Sequence, residues 1–268
     1  MSAIDRARGF IASRHGGFIA SRLATVAEKY LKAYNNLGNM NMACNGEVRA
    51  LRHVLARVPG DIIDAGSNEG QWAGAVLPFV TGDRTVHCFE PVPQTFARLA
   101  DALGGRPRVR LNNAGLGARE GSFTLNFNPS VSEVTSAYPL VDHHGGACSV
   151  ECRVTTGDLY LAEHGIAEIA LLKIDVEGME AECLAGFEDA FGAARIASVQ
   201  FEHGPSHVHS GHTLKYFKDW FEERGFVLFR IFPRRLEPLR YELRRESFEA
   251  QNLLAVRRDL LPALDLSA

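Results

Sequence analysis

The 268-residue sequence holds no apolar run approaching the ~18 residues a membrane-spanning helix needs. It also lacks the continuous apolar stretch of a secretory leader, so the expected location is the cytoplasm. Cysteine is sparse. Cys44, Cys88, Cys148, Cys152 and Cys183 make an odd, scattered set, which is not a disulfide framework. Cys148 and Cys152 stand four apart with no second Cys/His pair at zinc-finger spacing, so buried thiols are the better reading. Neither sign of charge is in excess: 29 Lys and Arg face 32 Asp and Glu, a net charge of −3. That balance provides no general attraction to a polyanion, and no nucleic-acid partner is expected.

What is present is an ordinary globular composition, 46% apolar and 23% charged, enough for one large α/β domain with an appendage. Residues 1–58 read as an N-terminal helical extension. Leu23, Val26, Ala27, Tyr30 and Leu31 recur at helical intervals, Asn35 to Asn39 break the pattern, and Val48, Leu51, Val54 and Leu55 resume it before Pro59-Gly60. Inside this extension Gly9-Phe10-Ile11-Ala12-Ser13-Arg14 returns as Gly17-Phe18-Ile19-Ala20-Ser21-Arg22. The segment is basic and amphipathic. It is expected to pack on the body or on a second subunit of a homo-oligomer, with peripheral membrane contact as the alternative.

From residue 59 to 258 the rhythm changes to alternating strands and helices, which implies βαβ units and a mostly parallel sheet. Short apolar runs at 61–65, 85–89, 109–113, 169–175 and 196–201 predict its strands, and 226–232 and 253–256 supply two more. Residues 122–127 and 150–154 alternate with period two, the pattern of a small β insertion. Residues 128–149 between them are polar and glycine-bearing, the candidate substrate lid. A continuous helix is expected over 180–191, and 259–268 reads as a tail that frays.

Ligands of open parallel sheets sit at the carboxyl ends of the strands. Here strand one ends in Asp64-Ala65-Gly66-Ser67-Asn68-Glu69-Gly70, and strand two in Glu90-Pro91, 24 residues beyond Gly66. Glycines permit a tight turn with close backbone approach, and an acid at position 90 accepts ribose hydroxyls. A dinucleotide site wants a third glycine in the middle of the loop, and Asp64 would repel a pyrophosphate. The same acid suits an ammonium group. S-adenosylmethionine (SAM) carries an ammonium, a sulfonium and a ribose but no phosphate, so the charges favour SAM over NAD.

Three runs then resemble the FkbM family of methyltransferases. Asp64 to Gly70 resembles that family's DVGANxG, Phe89-Glu90-Pro91-Val92-Pro93 its FEPxP, and Lys173-Ile174-Asp175-Val176-Glu177-Gly178-Met179-Glu180 its KIDVEGxE. Asn113-Ala114-Gly115-Leu116-Gly117 and Thr156-Gly157-Asp158-Leu159 match weaker elements, with Gly115 and Gly157 unusual at their places. Asn45-Gly46-Glu47 matches a helical lead-in. The resemblance covers about residues 45–257. It implies the class I methyltransferase Rossmann-like fold, a mostly parallel seven-stranded sheet flanked by helices. It further implies SAM as donor, S-adenosylhomocysteine (SAH) as product, and transfer mostly to a hydroxyl of a sugar, glycan or natural-product small molecule. Carried over, Asp64, Gly66, Ser67, Asn68 and Gly70 line the methionine end, Glu90 and Pro91 flank the ribose, and Asn113 and Ala114 lie near the adenine.

An alcohol must lose its proton as it is methylated, so a histidine or carboxylate is needed as base. Glu202 to His212 holds four of the ten histidines: His203, His207, His209 and His212. A plain surface loop, a substrate loop and a metal site are the competing readings. We expect His203 or His207 as base, with Asp175 as orienter or alternate base. A divalent metal would use Asp175, Glu202, His207 and His209. The aromatic and basic stretch Phe229 to Arg245 suits an anionic acceptor or a solvated face. Methylation of nitrogen or carboxylate shares every cofactor motif, and a non-catalytic SAM- or nucleotide-binding scaffold is the alternative outside enzymes.

Overall fold

The computed structural model describes residues 2–128, 131–136 and 148–268. The extension opens with α1 (Ala3–Ala12) and α2 (Phe18–Tyr34), followed by α3 (Glu47–Leu55). Then come β1 (Asp61–Ala65), α4 (Gln71–Val76), β2 (Val86–Phe89), α5 (Pro93–Leu103), β3 (Val109–Asn112) and β4 (Gly115–Leu116). The middle contributes β5 (Gly121–Asn128), β6 (Val131–Ser136), β7 (Cys148–Thr155) and α6 (Gly157–Glu163). The alternation resumes with β8 (Ile169–Ile174), α7 (Glu180–Ala185), α8 (Glu188–Gly192), β9 (Ser198–His203), α9 (His207–Ser210) and α10 (Leu214–Glu223). It closes with β10 (Phe226–Phe232), β11 (Arg235–Pro238) and β12 (Gln251–Arg257).

Among the described residues the strands form two sheets. The larger runs β11-β10-β12-β9-β8-β1-β2-β3. Pairings β3–β2, β2–β1, β1–β8 and β8–β9 are parallel, and β12 runs antiparallel between β9 and β10. The first seven-stranded set is the one the sequence implied, and β11 adds a short eighth strand at the β10 edge. Chain direction of travel reverses at β1, between β2 and β8, which opens a crevice at the carboxyl ends of these strands. Both faces are covered. Ile62, Val86 and Leu171 pack with α3, α4 and α5, whereas Ile63, Phe89 and Leu172 pack with α6, α7, α8 and α10. Burial on both faces explains why these strands read as continuous apolar runs.

The period-two segments do not extend the main sheet. They pair antiparallel as β5 and β7 in a separate sheet ordered β4-β7-β5-β6. Of the candidate lid at 128–149, residues 129, 130 and 137–147 lie outside the described residues. The helix expected over 180–191 is broken at Gly186 and Phe187. A Cβ at Gly186 would overlap the Gly117 carbonyl oxygen, and the Phe187 ring fills the place where a side chain at Gly157 would begin. The glycine at 157, odd by the family pattern, is therefore matched to a phenylalanine that occupies its space.

At the ends of the chain two expectations change. The terminal residues do not fray as a unit: Leu261 and Leu264 are buried, and the Leu264 carbonyl lies 2.7 Å from His53 Nε2 on α3. Helices α1 and α2 do not pack on the body, because neither has a buried residue. The arm is joined at its root, where Arg230 Nη2 donates to the Asn35 carbonyl (2.7 Å) and Lys32 pairs with Glu249 (2.8 Å). Among the described residues no helix is long and apolar enough to cross a membrane.

Candidate active site

The loop after β1 is shaped by close approach. Gly66 (φ +82°) stands where a Cβ would overlap the Asp175 carbonyl oxygen, and Gly70 (φ +88°) where one would lie 2.8 Å from Leu99 and Leu103. Positive φ suits glycine in both places. Ser67 staples the loop: its Oγ donates to the Asp64 carbonyl (2.9 Å) and accepts from the Phe89 N–H (3.1 Å). The Asp64 side chain is buried with neither carboxylate oxygen partnered, and burial pushes its pKa up to about 6 against the pull of Lys173. Asn68 Oδ1 is likewise buried and unpartnered. Orphaned oxygens of this kind are expensive unless a ligand completes them.

Glu90 follows β2. Its Oε2 accepts from the Asn68 N–H (3.1 Å) and its Oε1 from the Val92 N–H (2.9 Å). Burial raises its pKa to about 7. Asn113 is exposed and donates to the Glu90 and Pro91 carbonyls (2.9 and 3.2 Å), so it fixes the turn instead of lining the crevice. Ala114 is buried; its neighbours Gly115 and Leu116 line the space.

A cavity of about 530 Å³ connects these groups, a volume in the range of small-molecule sites. Ser67, Asn68, Glu90, Pro91 and the pair Phe123 and Leu125 border it, as do Glu47, Lys173, Asp175, Glu177, Glu202 and Asn252. Lys173 is almost fully buried and its Nζ lies 2.8 Å from Asp175 Oδ2. Burial opposes its charge, but Asp175 and Asp64 win and hold the ammonium above its ordinary value. Burial, then the nearby Asp175, pushes Glu177 up to about 9 and Glu202 up to about 8. Five carboxyl groups thus share the lining with one lysine, and burial favours the protonated forms of its four glutamates, Glu47, Glu90, Glu177 and Glu202.

The structure brings Gly66, Ser67, Asn68, Glu90, Pro91 and Asp175 together around this crevice, keeps Asp64 buried and Gly70 packed on α5 outside its lining, and leaves the histidines out. Successive strand residues point to opposite faces. In β9, Glu202 takes the cavity side and His203 the core. There the His203 ring stacks between His207 (4.7 Å) and Phe248 (5.6 Å), with neither nitrogen partnered. Burial, aided by His207, lowers its pKa to about 4. His207 is also buried: Nδ1 accepts from the Gly204 N–H (3.2 Å), and Nε2 lies 2.9 Å from Glu180 Oε2, off the line of a hydrogen bond. Neither histidine borders the cavity. His209 is exposed on α9. Among the described residues no three His, Cys, Asp or Glu side chains are placed to hold a metal ion, so Asp175, Glu202, His207 and His209 do not assemble the metal site offered by the sequence. No arginine from 230 to 245 lines the cavity either.

Sequence reasoning passed over Glu47. Gly46 (φ +99°) lets α3 start against the Phe232 carbonyl, where a Cβ would collide. The Glu47 carboxylate then accepts from Asn45, from Gln200 Nε2 (2.6 Å) and from Asn252 Nδ2 (3.0 Å). An acid directly after Asn-Gly at a helix start was the available signal, but two of its three partners, Gln200 and Asn252, lie more than 150 residues away.

Residues 64–228 match the model of the methyltransferase FkbM domain. A 31-O-demethyl-FK506 methyltransferase FkbM from Streptomyces tacrolimicus is 32% identical over 171 residues, 52% of this chain and 64% of that protein. A 2-O-methyltransferase NoeI from Sinorhizobium fredii is 26% identical over 169 residues, 57% of this chain and 68% of that protein. The chain thus spans about two-thirds of the length of these curated relatives. A solved structure of methyltransferase FkbM from Methylobacillus flagellatus KT has 16% identity and a TM-score of 0.44, covering 73% of this chain and 43% of that one. With the family model matched over more than half its length, the chain belongs to the FkbM methyltransferase family.

Proposed function

We propose that the protein is a SAM-dependent methyltransferase acting on a hydroxyl oxygen of an uncharged small molecule or glycan. The observation that carries this reading is the single cavity joining the Asn68–Glu90 side to the Asp175–Glu202 side. SAM supplies an electrophilic methyl on a sulfonium. The chain's groups fit it: Glu90 is placed to accept ribose hydroxyls, and the unpartnered Asn68 Oδ1, with the buried Asp64 carboxyl behind the same loop, suits the ammonium of the amino-acid end. Both relatives named above are described as methyltransferases, one of them a 2-O-methyltransferase.

Asp175 takes the place of the histidines as the proposed base. It borders the cavity, is about one-third exposed, and is oriented by Lys173. It would accept the hydroxyl proton as the new C–O bond forms. Glu202 and Glu177, with raised pKa values, are protonated at neutral pH and can donate to other hydroxyls of the acceptor. Among the described residues the one basic side chain lining the cavity, Lys173, is already paired with Asp175, which leaves no cation to meet a carboxylate or phosphate on the acceptor.

The test is transfer of labelled methyl from SAM across a panel of sugars, neutral alcohols, amines and acids. Asp175→Asn should lower turnover by roughly 100-fold or more and leave SAH affinity within about threefold. Absence of micromolar SAH binding by the full chain would end the enzyme reading. Undiminished turnover in Asp175→Asn would end only the assignment of the base.

A further inference from the structure

Helices α1 and α2 are the part of the chain that the cavity does not explain. On α2, Ile19, Leu23, Val26, Tyr30, Leu31 and Tyr34 are each between 56% and 72% exposed. At 3.6 residues per turn these side chains, with the intervening alanines, cover about half of the helix circumference. Arg22, Lys29 and Lys32 occupy the other half with Ser21, Thr25 and Glu28. Each copy of the repeated hexapeptide builds the same unit: Arg14 stacks over Phe10 at 3.6 Å, and Arg22 over Phe18 at 4.3 Å. Residues 1–34 hold six Lys and Arg against two Asp and Glu, a net charge of +4; the remainder, with 23 against 30, carries −7.

We propose that α1 and α2 form an anchor that lies on an anionic lipid surface, its apolar half in the boundary between headgroups and acyl chains. A broad apolar arc flanked by Arg and Lys is the pattern of an interfacial helix, wider than the seam of a coiled coil. Pairing of α2 with a second copy through this face would bury the Tyr30 and Tyr34 hydroxyls, which at a lipid surface reach the headgroup level. The anchor is placed for use: Gly38 N–H donates to the Ala250 carbonyl (2.7 Å), and Met40 and Met42 just beyond it border the cavity. Docking would hold the cavity rim beside the membrane. The inference does not depend on the reaction proposed above.

Co-sedimentation of the full chain with vesicles of phosphatidylcholine alone, or with about 30 mol% phosphatidylglycerol, tests it. Binding to the anionic vesicles should be at least roughly tenfold tighter and should weaken with salt. Arg22→Glu/Lys29→Glu should remove the anionic preference. Leu23→Glu/Tyr30→Glu should abolish binding while the melting temperature stays unchanged, since both positions are exposed. No preference for anionic vesicles, or binding that survives Leu23→Glu/Tyr30→Glu, would overturn the proposal. So would a dimer, measured by light scattering, that the same substitutions split in a protein that ignores vesicles.

Discussion

Replacing Gly66 by alanine tests the geometry that joins the loop between β1 and α4 to the acid end of the cavity. Its φ of +82° lies in the left-handed region, where a residue with a Cβ is disfavoured by about 1–2 kcal/mol. The added Cβ would also overlap the Asp175 carbonyl oxygen. That oxygen belongs to backbone, and the Asp175 N–H is bonded to the Ala65 carbonyl (3.0 Å), so no side-chain rotation relieves the contact. Overpacking of this kind costs about 1–3 kcal/mol. Together the two effects predict a loss of about 2–5 kcal/mol, and at about 2 °C per kcal/mol for a chain of this size the melting temperature should fall by about 4–10 °C. Gly74 is the matched control. It sits inside α4 with nothing within 4 Å of a Cβ, so alanine there should gain about 0.5–1 kcal/mol by restricting the unfolded chain. Calorimetric melting of both variants should show shifts of opposite sign. A Gly66→Ala protein melting within about 1 °C of the parent would refute the reasoning.

Other outcomes follow from the same arrangement. Glu90→Gln exchanges one carboxylate oxygen for a donor facing backbone N–H groups, so SAH affinity in titration calorimetry should drop by about 10–100-fold. Glu202, raised to about 8 in the folded protein, contributes stability that is fully present below about pH 4.5 and lost as pH rises through 8. The melting temperature of Glu202→Gln relative to the parent should therefore climb between pH 5 and 8; a flat difference would mean that Glu202 is already charged. His203 is lowered to about 4, so its contribution is present above about pH 6.5 and lost as pH falls through 4. His203→Leu should gain on the parent between pH 6.5 and 4 and keep turnover within about threefold, whereas a collapse in turnover with SAH affinity intact would restore the histidine as base.

Local chemistry made much of this protein legible before any coordinates. Continuous apolar runs ending in Asp64, Glu90 and Asp175 marked strands buried on both faces and placed polar groups at their carboxyl ends, because backbone period and burial are local properties. Gly66 and Gly70 were legible because positive φ selects glycine. The histidine cluster misled because composition does not report direction. One residue along β9 separates Glu202, which faces the cavity, from His203, which faces the core. The split of α7 from α8 depended on Gly186 meeting Gly117 and on Phe187 filling the space over Gly157, contacts that no sequence window contains.

The sequence by itself determined the alternating α/β organisation, the glycine turn after the first strand, the acid of the second strand and the family. Each of these rests on residues adjacent in the chain. Only the tertiary structure decided which groups share the cavity. Glu47 meets Gln200 and Asn252 across the sheet, and Lys173 is surrounded by acids from separate strands and a helix. Their pKa values then depend on burial and on one another, quantities that exist only once the chain is folded.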